Sequence, residues 1–289
     1  MTGIPPGRPA EWDASTYHRI SNPHVVWGQP IIDRLHLTGS ETVIDAGCGT
    51  GRLTAQVLER LPAGRVIAVD RDAAMLATAK AELEPRFGDR VRVVRADLLD
   101  LDSAVDEPAD RVFSTATFHW VGDHERLFGA IFRSLRPGGW LVAQCGGAGN
   151  IQRVIGHAAE IAREPDFQPW FAGWAGPWTF SDDRQAARRL AKAGFTEIET
   201  ALIEAPVTQP DSAAFAQFAR SVVFGEHLAR LPTDGLRDRF VAAITERAGR
   251  DDPPYTLDYR RLNIRAQRPF SPGTEGPVRW GDDGVRRLA

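Results

Sequence analysis

The 289-residue chain is short of cysteine, of lysine and of unbroken apolar sequence, and each shortage excludes something. Two cysteines, Cys48 and Cys145, cannot build a disulfide framework, and both fall inside predicted core elements. No apolar run approaches the roughly 20 residues that span a bilayer. The opening MTGIPPGRPAEW contains no apolar signal core. Cations give no excess either: 35 Lys and Arg against 38 Asp and Glu leave a formal net charge of -3, with no electrostatic footprint for nucleic acid. The cations are nearly all arginine, Lys80 and Lys192 being the exceptions, a bias that points to a GC-rich bacterial genome. The expectation is a cytoplasmic protein, monomer or homodimer, with neither a membrane nor a nucleic-acid partner.

A hydrophobic content of 43% is enough for one large core, or for one core with an appended subdomain. From Thr42 to Gly146 short runs rich in Val, Ile and Ala (TVIDAG, RVIAVD, VRVVRAD, DRVFSTAT, WLVAQCG) read as strands buried on both faces. Amphipathic helical stretches at Arg52–Leu61, Asp72–Leu83 and His124–Leu135 separate them, with Asp72 as an N-cap and Arg136–Gly139 (RPGG) as a stop and turn. Strand–helix alternation at this spacing predicts a parallel sheet covered on both faces. Beyond Gly146, residues 147–181 read as irregular and aromatic. A helix at Asp182–Ala193, a strand at Phe195–Ile203, helices at Asp211–Phe224 and Gly235–Gly249, and a strand at Tyr255–Gln267 follow. The tail 269–289 has little apolar periodicity. Asp182 and Asp183 read as a helix cap, so no metal is expected.

The segment TVIDAGCGTGR places Gly47, Gly49 and Gly51 between the first strand and its helix. Such a turn lets a ligand lie against bare backbone and the free N–H groups of the helix. A dinucleotide fingerprint needs a third glycine where Arg52 stands, which argues against a nicotinamide-dependent oxidoreductase. Asp45 would repel a pyrophosphate but suits an α-amino group or a sulfonium. Asp70, ending the second strand, is placed to accept two ribose hydroxyls, and Asp97, ending the third, to meet an exocyclic amino group. An amino acid end, a ribose and an adenine together make S-adenosylmethionine.

At these residues, with VIAVDRDAAML, RADLLDL and STATFHWVGDHERLFGAIFRSLRPGGWL, the chain resembles the class I S-adenosylmethionine-dependent methyltransferases. Within them it is similar to the trans-aconitate methyltransferase group, over residues 11 to 268. The resemblance implies an α/β, Rossmann-like, doubly wound seven-stranded sheet, mostly parallel, with an antiparallel last strand inserted between the fifth and sixth. It further implies that Gly47, Cys48, Gly49 and Gly51 form the cofactor loop and that Asp70, beside Arg71, takes the ribose. Met75 would pack on the adenine, Asp97 and Leu98 would hold its far edge, and Thr115 and Phe118 would line the methionine side. Residues 1–40 would be a helical segment over the cofactor site, bringing Tyr17 near the reacting centre; a surface helix packing by its aromatics is the alternative.

His119 and Trp120 follow the fourth strand, at the edge where open α/β sheets bind ligands. His119 is a candidate general base, with Tyr17 as a second; the plainer reading makes His119 a polar residue at a loop mouth. Phe167, Trp170, Phe171, Trp174, Trp178 and Phe180 crowd into fourteen residues. They suit either a satellite core or an aromatic lid over an apolar acceptor pocket shared with Trp120. The lid reading divides the chain into a core at 41–146, a lid at 147–181 and the completion of the sheet at 182–268. The expected function is methyl transfer from S-adenosylmethionine, giving S-adenosylhomocysteine, to a small, partly apolar metabolite, leaning to a carboxylate or hydroxyl oxygen. A non-catalytic protein that merely binds S-adenosylmethionine is the alternative.

Overall fold

The computed structural model describes residues 22–271, with residues 279–280 and 286–287. Helix α1 (Asn22–Asp33) precedes β1 (Thr42–Ala46), and α2 (Arg52–Glu59), β2 (Arg65–Asp70), α3 (Ala73–Phe87) and β3 (Val91–Arg95) follow. Then come α4 (Leu101–Ala104), β4 (Ala109–Thr115), α5 (His124–Ser134) and β5 (Leu135–Gly146). Beyond β5 lie α6 (Gln152–Ile161), α7 (Gln168–Phe171), α8 (Asp183–Ala193), β6 (Thr196–Glu204) and β7 (Val207–Thr208). Helices α9 (Ser212–Phe218), α10 (Gly225–Arg230) and α11 (Asp234–Ala248) lead to β8 (Thr256–Leu257) and β9 (Arg260–Gln267).

Seven strands form one sheet in the order β3-β2-β1-β4-β5-β9-β6. The first five run parallel, and β9 pairs antiparallel with both β5 and β6, as the family resemblance implies. Successive side chains of a strand face opposite ways, so each strand feeds two cores. Ile44, Val112 and Leu141 pack with Leu127, Ile131 and Leu190 of α5 and α8 on one face. Val43, Phe113 and Val142 pack with Val57, Leu58 and Leu83 of α2 and α3 on the other. Helix starts obey local chemistry: Asp72 accepts from the Ala74 and Met75 amides, and Asp182 forms a capping box with Gln185. The strand order reverses between β1 and β4, which opens a crevice at their carboxyl ends.

Three sequence expectations need correction. Arg136–Gly139 does not end an element; it lies within β5 as an irregularity, Gly138 at φ +81°, because Gly138 and Gly139 exchange backbone hydrogen bonds with Arg268. The helix expected at Asp211–Phe224 stops at Phe218 and passes through a π-turn at Ala219–Val223. Residues 147–181 are not simply irregular. They hold α6 and α7, and their apolar side chains join α9, α10 and α11 in a third core that includes Phe167, Phe171, Phe215, Phe224 and Phe240. A cap is thus assembled from two stretches far apart in sequence.

Phe240 is fully buried there, its ring 5.4 Å from that of Phe171 and 5.5 Å from that of Phe167. Phe240→Ala is expected to cost about 3–5 kcal/mol in denaturant unfolding, by lost transfer and an unfilled cavity. Its affinity for S-adenosylmethionine should stay within about twofold of the parent, since the sheet's own cores are untouched. A loss below about 1 kcal/mol would mean the cap is not packed as described.

Candidate active site

The glycine turn is pinned to the end of β2. Gly47 and Cys48 both donate to the Val69 carbonyl, at 2.8 and 3.0 Å, and Gly51 donates to Cys48. Asp70 Oδ2 accepts from the Gly49 amide at 2.9 Å while Oδ1 accepts from the Asp72 amide at 2.9 Å. Gly47, Gly49 and Gly51 all have positive φ, of 87, 54 and 81°, where a side chain is strained. A Cβ at Gly47 would strike Thr117, whose hydroxyl donates to the Thr115 and Gly47 carbonyls. A Cβ at Gly49 would meet nothing within 4 Å among the described residues. Here the loop faces open space, which suits a ligand lying on its backbone.

The site's electrostatics favour a cation. Burial pushes the Asp45 carboxyl up to about 7, against the hydrogen bond from Thr54 Oγ1 (2.6 Å) and with help from the Asp70 charge. Burial also raises Asp70, against the amides of Asp72 and Gly49. Among the described residues neither carboxylate is ion-paired. A sulfonium and an α-ammonium relieve two desolvated acids, whereas a pyrophosphate worsens them. S-adenosylmethionine therefore fits the residues present.

Most of the other expected cofactor residues lie along the same edge. Asp97 is exposed and spends one oxygen on the Leu99 amide, Leu98 and Met75 are buried, and Arg71 is exposed beside Asp70. Thr115 closes β4. Phe118 has its ring buried in the sheet core against Phe128, at 6.1 Å. Tyr17 lies outside the described residues.

Past β4, a shallow recess is lined by His119, Trp120, Trp178, Asn150, Tyr259 and Arg261. Ala116, Ile151, Val222 and Val223 complete it, the two valines turned there by the π-turn. Trp120 and Trp178 stand 5.8 Å apart, and Phe180 stacks on both His119 and Trp178. His119 Nδ1 accepts from the Gly146 amide at 3.2 Å. Trp170, Phe171 and Trp174, expected at the acceptor, do not line the recess: they belong to the cap core, Trp174 packing on His227 at 4.6 Å and under Arg230. Sequence reasoning missed Asn150, Tyr259 and Arg261. No sequence signal marked Arg261, because its face of β9 also carries Asn263, Arg265 and Gln267.

Buried titratable groups make a test of this geometry. His227, ringed by Phe171, Trp174, Trp178, Phe224 and Phe240, is pushed down to about 3 by burial, with Arg230 adding to it, and its Nδ1 has no hydrogen-bond partner among the described residues. The unfolded chain takes up that proton near pH 6.5, so His227 makes stability fall as pH drops below that value. Asp45 does the reverse: unfolded it ionises near 3.8, folded near 7, so its contribution is present below 3.8 and lost as pH rises to about 7. Asp70 adds in the sense of Asp45, and His124, lowered by burial, in the sense of His227. Between about pH 4 and 6.5 the opposing slopes offset one another in the parent. Asp45→Asn is expected to leave stability falling with acid, by up to about 1.4 kcal/mol per pH unit, and His227→Phe to leave it falling with alkali. Urea midpoints from pH 4 to 8 read this out; two unchanged profiles would refute it.

Comparison with known proteins agrees with the site. A methyltransferase domain family matches residues 43–139. Trans-aconitate 2-methyltransferase of an Acidovorax species is 28% identical over 270 residues, covering 89% of this chain and 98% of that one. The protein of the same name from an Azoarcus species is 35% identical over 133 residues, or 46% of this chain and 50% of that one. Among solved structures, phosphoethanolamine N-methyltransferase 2 of Haemonchus contortus, holding S-adenosylhomocysteine, superposes with a TM-score of 0.58 at 19% identity. That match covers 89% of this chain, which spans 57% of the other's length. No metal-binding cluster and no helix long and apolar enough to cross a membrane occur among the described residues. An aspartate at or just past the end of each of the first three strands, a glycine turn open to a ligand and these likenesses together mark the chain as an S-adenosylmethionine-dependent methyltransferase, similar over most of its length to the trans-aconitate methyltransferases.

Proposed function

We propose that the protein methylates a carboxylate oxygen of a small, partly apolar metabolite, and that it works in the cytoplasm. One observation carries the choice of oxygen: the Gly146 amide donates to His119 Nδ1. That bond occupies the lone pair a base would use and leaves the proton of the neutral ring on Nε2. In this tautomer His119 is a donor to an acceptor oxygen and not a proton acceptor, so the base role expected of it falls away. A carboxylate is already ionised at neutral pH and needs no base; an alcohol or a phenol does. The name of the curated relatives, trans-aconitate 2-methyltransferase, agrees with a carboxylate.

Bound S-adenosylmethionine supplies a methyl group on a sulfonium, and the sulfur keeps the bonding electron pair when the new O–CH₃ bond forms, so no proton has to move. What the chain contributes is position and dryness. Asp70 and the glycine turn hold the nucleoside end, and His119 Nε2–H orients the acceptor oxygen. Trp120, Trp178 and Phe180 keep water from a site where positive charge disperses. The cap formed by α6, α7 and α9 to α11 serves as the lid.

The test is calorimetric titration with S-adenosylmethionine, S-adenosylhomocysteine and NAD, followed by a methyl-transfer screen over carboxylic acids, phenols and alcohols. Binding of the adenosyl pair, silence from NAD and alkali-labile methyl esters from acids alone are expected. Ethers from phenols would overturn the carboxylate reading, and binding without turnover on any acceptor would return the alternative of a binding protein.

A further inference from the structure

Asn150 is 4% exposed, yet it lines the recess past β4. Its side-chain amide has one possible orientation. The Arg260 backbone N–H meets it at 2.9 Å and can only donate, so the accepting end is Oδ1 and the other end is the NH₂ of Nδ2. Nδ2 has no hydrogen-bond partner among the described residues, and it keeps an opening to solvent through the recess. A nearly buried donor without a partner is costly, and native proteins seldom keep one without a use. The turn that carries it is strained as well. Gly149 has φ +76°, and Ile151, a β-branched residue that also lines the recess, has φ +46°; such strain persists where the surroundings over-determine it, and it clusters at ligand sites. Here the surroundings do so: Asn150 N–H donates to the Gly147 carbonyl at 3.0 Å, Gly147 N–H to Arg260 at 2.9 Å and Ile151 N–H to Asp258 at 3.1 Å. Nδ2 itself lies over Gly146, where a Cβ would stand 2.8 Å from it. The Gly146 amide is also the donor to His119 Nδ1, so a single glycine leaves room for both side chains.

We propose that Asn150 binds the acceptor: its Nδ2–H₂ donates to the oxygen of the reacting carboxylate that is not methylated. The inference rests on the carboxylate reading above and adds a residue to it. In the transfer the attacking oxygen uses a lone pair to form the O–CH₃ bond, and the S–CH₃ bond breaks with its pair left on sulfur. The other oxygen becomes the ester carbonyl. It accepts hydrogen bonds before, during and after the step, so a fixed donor on it aligns its neighbour throughout. The neutrality of the donor matters. A guanidinium or ammonium would draw charge from the nucleophile, whereas an amide orients the group and leaves most of its charge in place. Because Oδ1 is held by a backbone N–H, the side chain cannot turn to offer its acceptor instead. An ammonium would bring hydrogens against hydrogens, so Asn150 also selects acids over amines of the same chain.

The experiment uses Asn150→Asp, which keeps an oxygen for the Arg260 amide and replaces only the donor. It is compared with the parent and Asn150→Ala on the carboxylic acids that give esters in the screen above, with S-adenosylmethionine affinity and urea midpoints measured alongside. Asn150→Asp is expected to keep the parent's midpoint and to hold S-adenosylmethionine within about twofold. Its kcat/KM should fall by about a hundredfold or more, chiefly through KM, since the lost contact serves ground state and transition state alike and a like charge takes its place. Asn150→Ala loses the contact without the repulsion, about tenfold to a hundredfold. A merely structural Asn150 gives the opposite order, with Asn150→Asp like the parent and Asn150→Ala unstable, and that order would overturn the proposal while the carboxylate reading stands. The parent supplies a second measurement that no folding failure can spoil. In ¹⁵N-labelled protein loaded with S-adenosylhomocysteine, the Asn150 side-chain amide protons, identified by their closeness to the Arg260 amide, are expected to shift when the acid is added. No shift at saturating acid would likewise refute it. If no acid yields an ester with the parent, the carboxylate reading fails first and takes this inference with it.

Discussion

Asp70→Ala is expected to weaken S-adenosylmethionine binding by about tenfold to a hundredfold in a protein that remains folded. The carboxylate performs two tasks at once. Each oxygen already accepts one backbone amide, Oδ2 from Gly49 and Oδ1 from Asp72, and each retains a lone pair for a ribose hydroxyl. One hydrogen bond to a charged acceptor contributes about 1.5–3 kcal/mol, about tenfold to hundredfold in affinity, and alanine removes at least that much of the ribose contact together with the anchor of the glycine turn. The side chain lies at the strand's end, while β2 is buried through Val66, Ile67, Ala68 and Val69, so the core survives. Asp70→Asn keeps one carbonyl acceptor and should lose less. Calorimetric titration beside thermal unfolding decides the matter, and an unchanged affinity in a folded Asp70→Ala would remove Asp70 from the ribose site.

Gly47→Ala and Gly49→Ala, two residues apart in one turn, are expected to fail in different ways. At Gly47 a Cβ would sit 2.2 Å from Thr117 Cγ2 and 2.3 Å from its Oγ1, at φ +87°. The backbone cannot retreat, because the Gly47 amide is bonded to Val69 and its carbonyl to Thr117. Left-handed strain of about 1–2 kcal/mol and overpacking of about 1–3 kcal/mol sum to a loss of about 2–5 kcal/mol in unfolding free energy, with cofactor binding lost as the turn shifts. Thr117→Ser in the same chain should recover part of the steric component and none of the backbone strain. At Gly49 the added methyl meets open space, so stability should drop by only about 1 kcal/mol, while the methyl stands on the face offered to the ligand and abolishes most of the affinity. Urea unfolding and titration on both variants separate the two cases. Equal destabilisation would show that Gly49 is a turn glycine and nothing more.

The cofactor half of the site was legible from the sequence because it is local. Asp45, the three glycines and Asp70 sit at strand ends that periodicity marks, and the turn's chemistry follows from residue types and spacing alone. Phe118 is harder to place: a residue two positions beyond the turn-forming Ala116 can face ligand or core, and its packing against Phe128 is a tertiary contact. The aromatic stretch shows the same limit on a larger scale. Six rings in a row announce buried area, but which of them line a recess depends on α9 to α11, whose sequence lies beyond it by dozens of residues.

Strand–helix alternation and the acids closing the first three strands determined by themselves the doubly wound sheet and its adenosyl ligand, since period-two burial and backbone turns are properties of short segments. The recess past β4 was decided by tertiary structure. It joins the end of β4, the start of α6, a π-turn and the antiparallel β9, elements brought together only when the sheet closes. Gly146 at the end of β5 meets both His119, past β4, and Arg261, opposite it on β9, and the pairing of strands so distant in sequence is set by the packing of the whole sheet rather than by either segment.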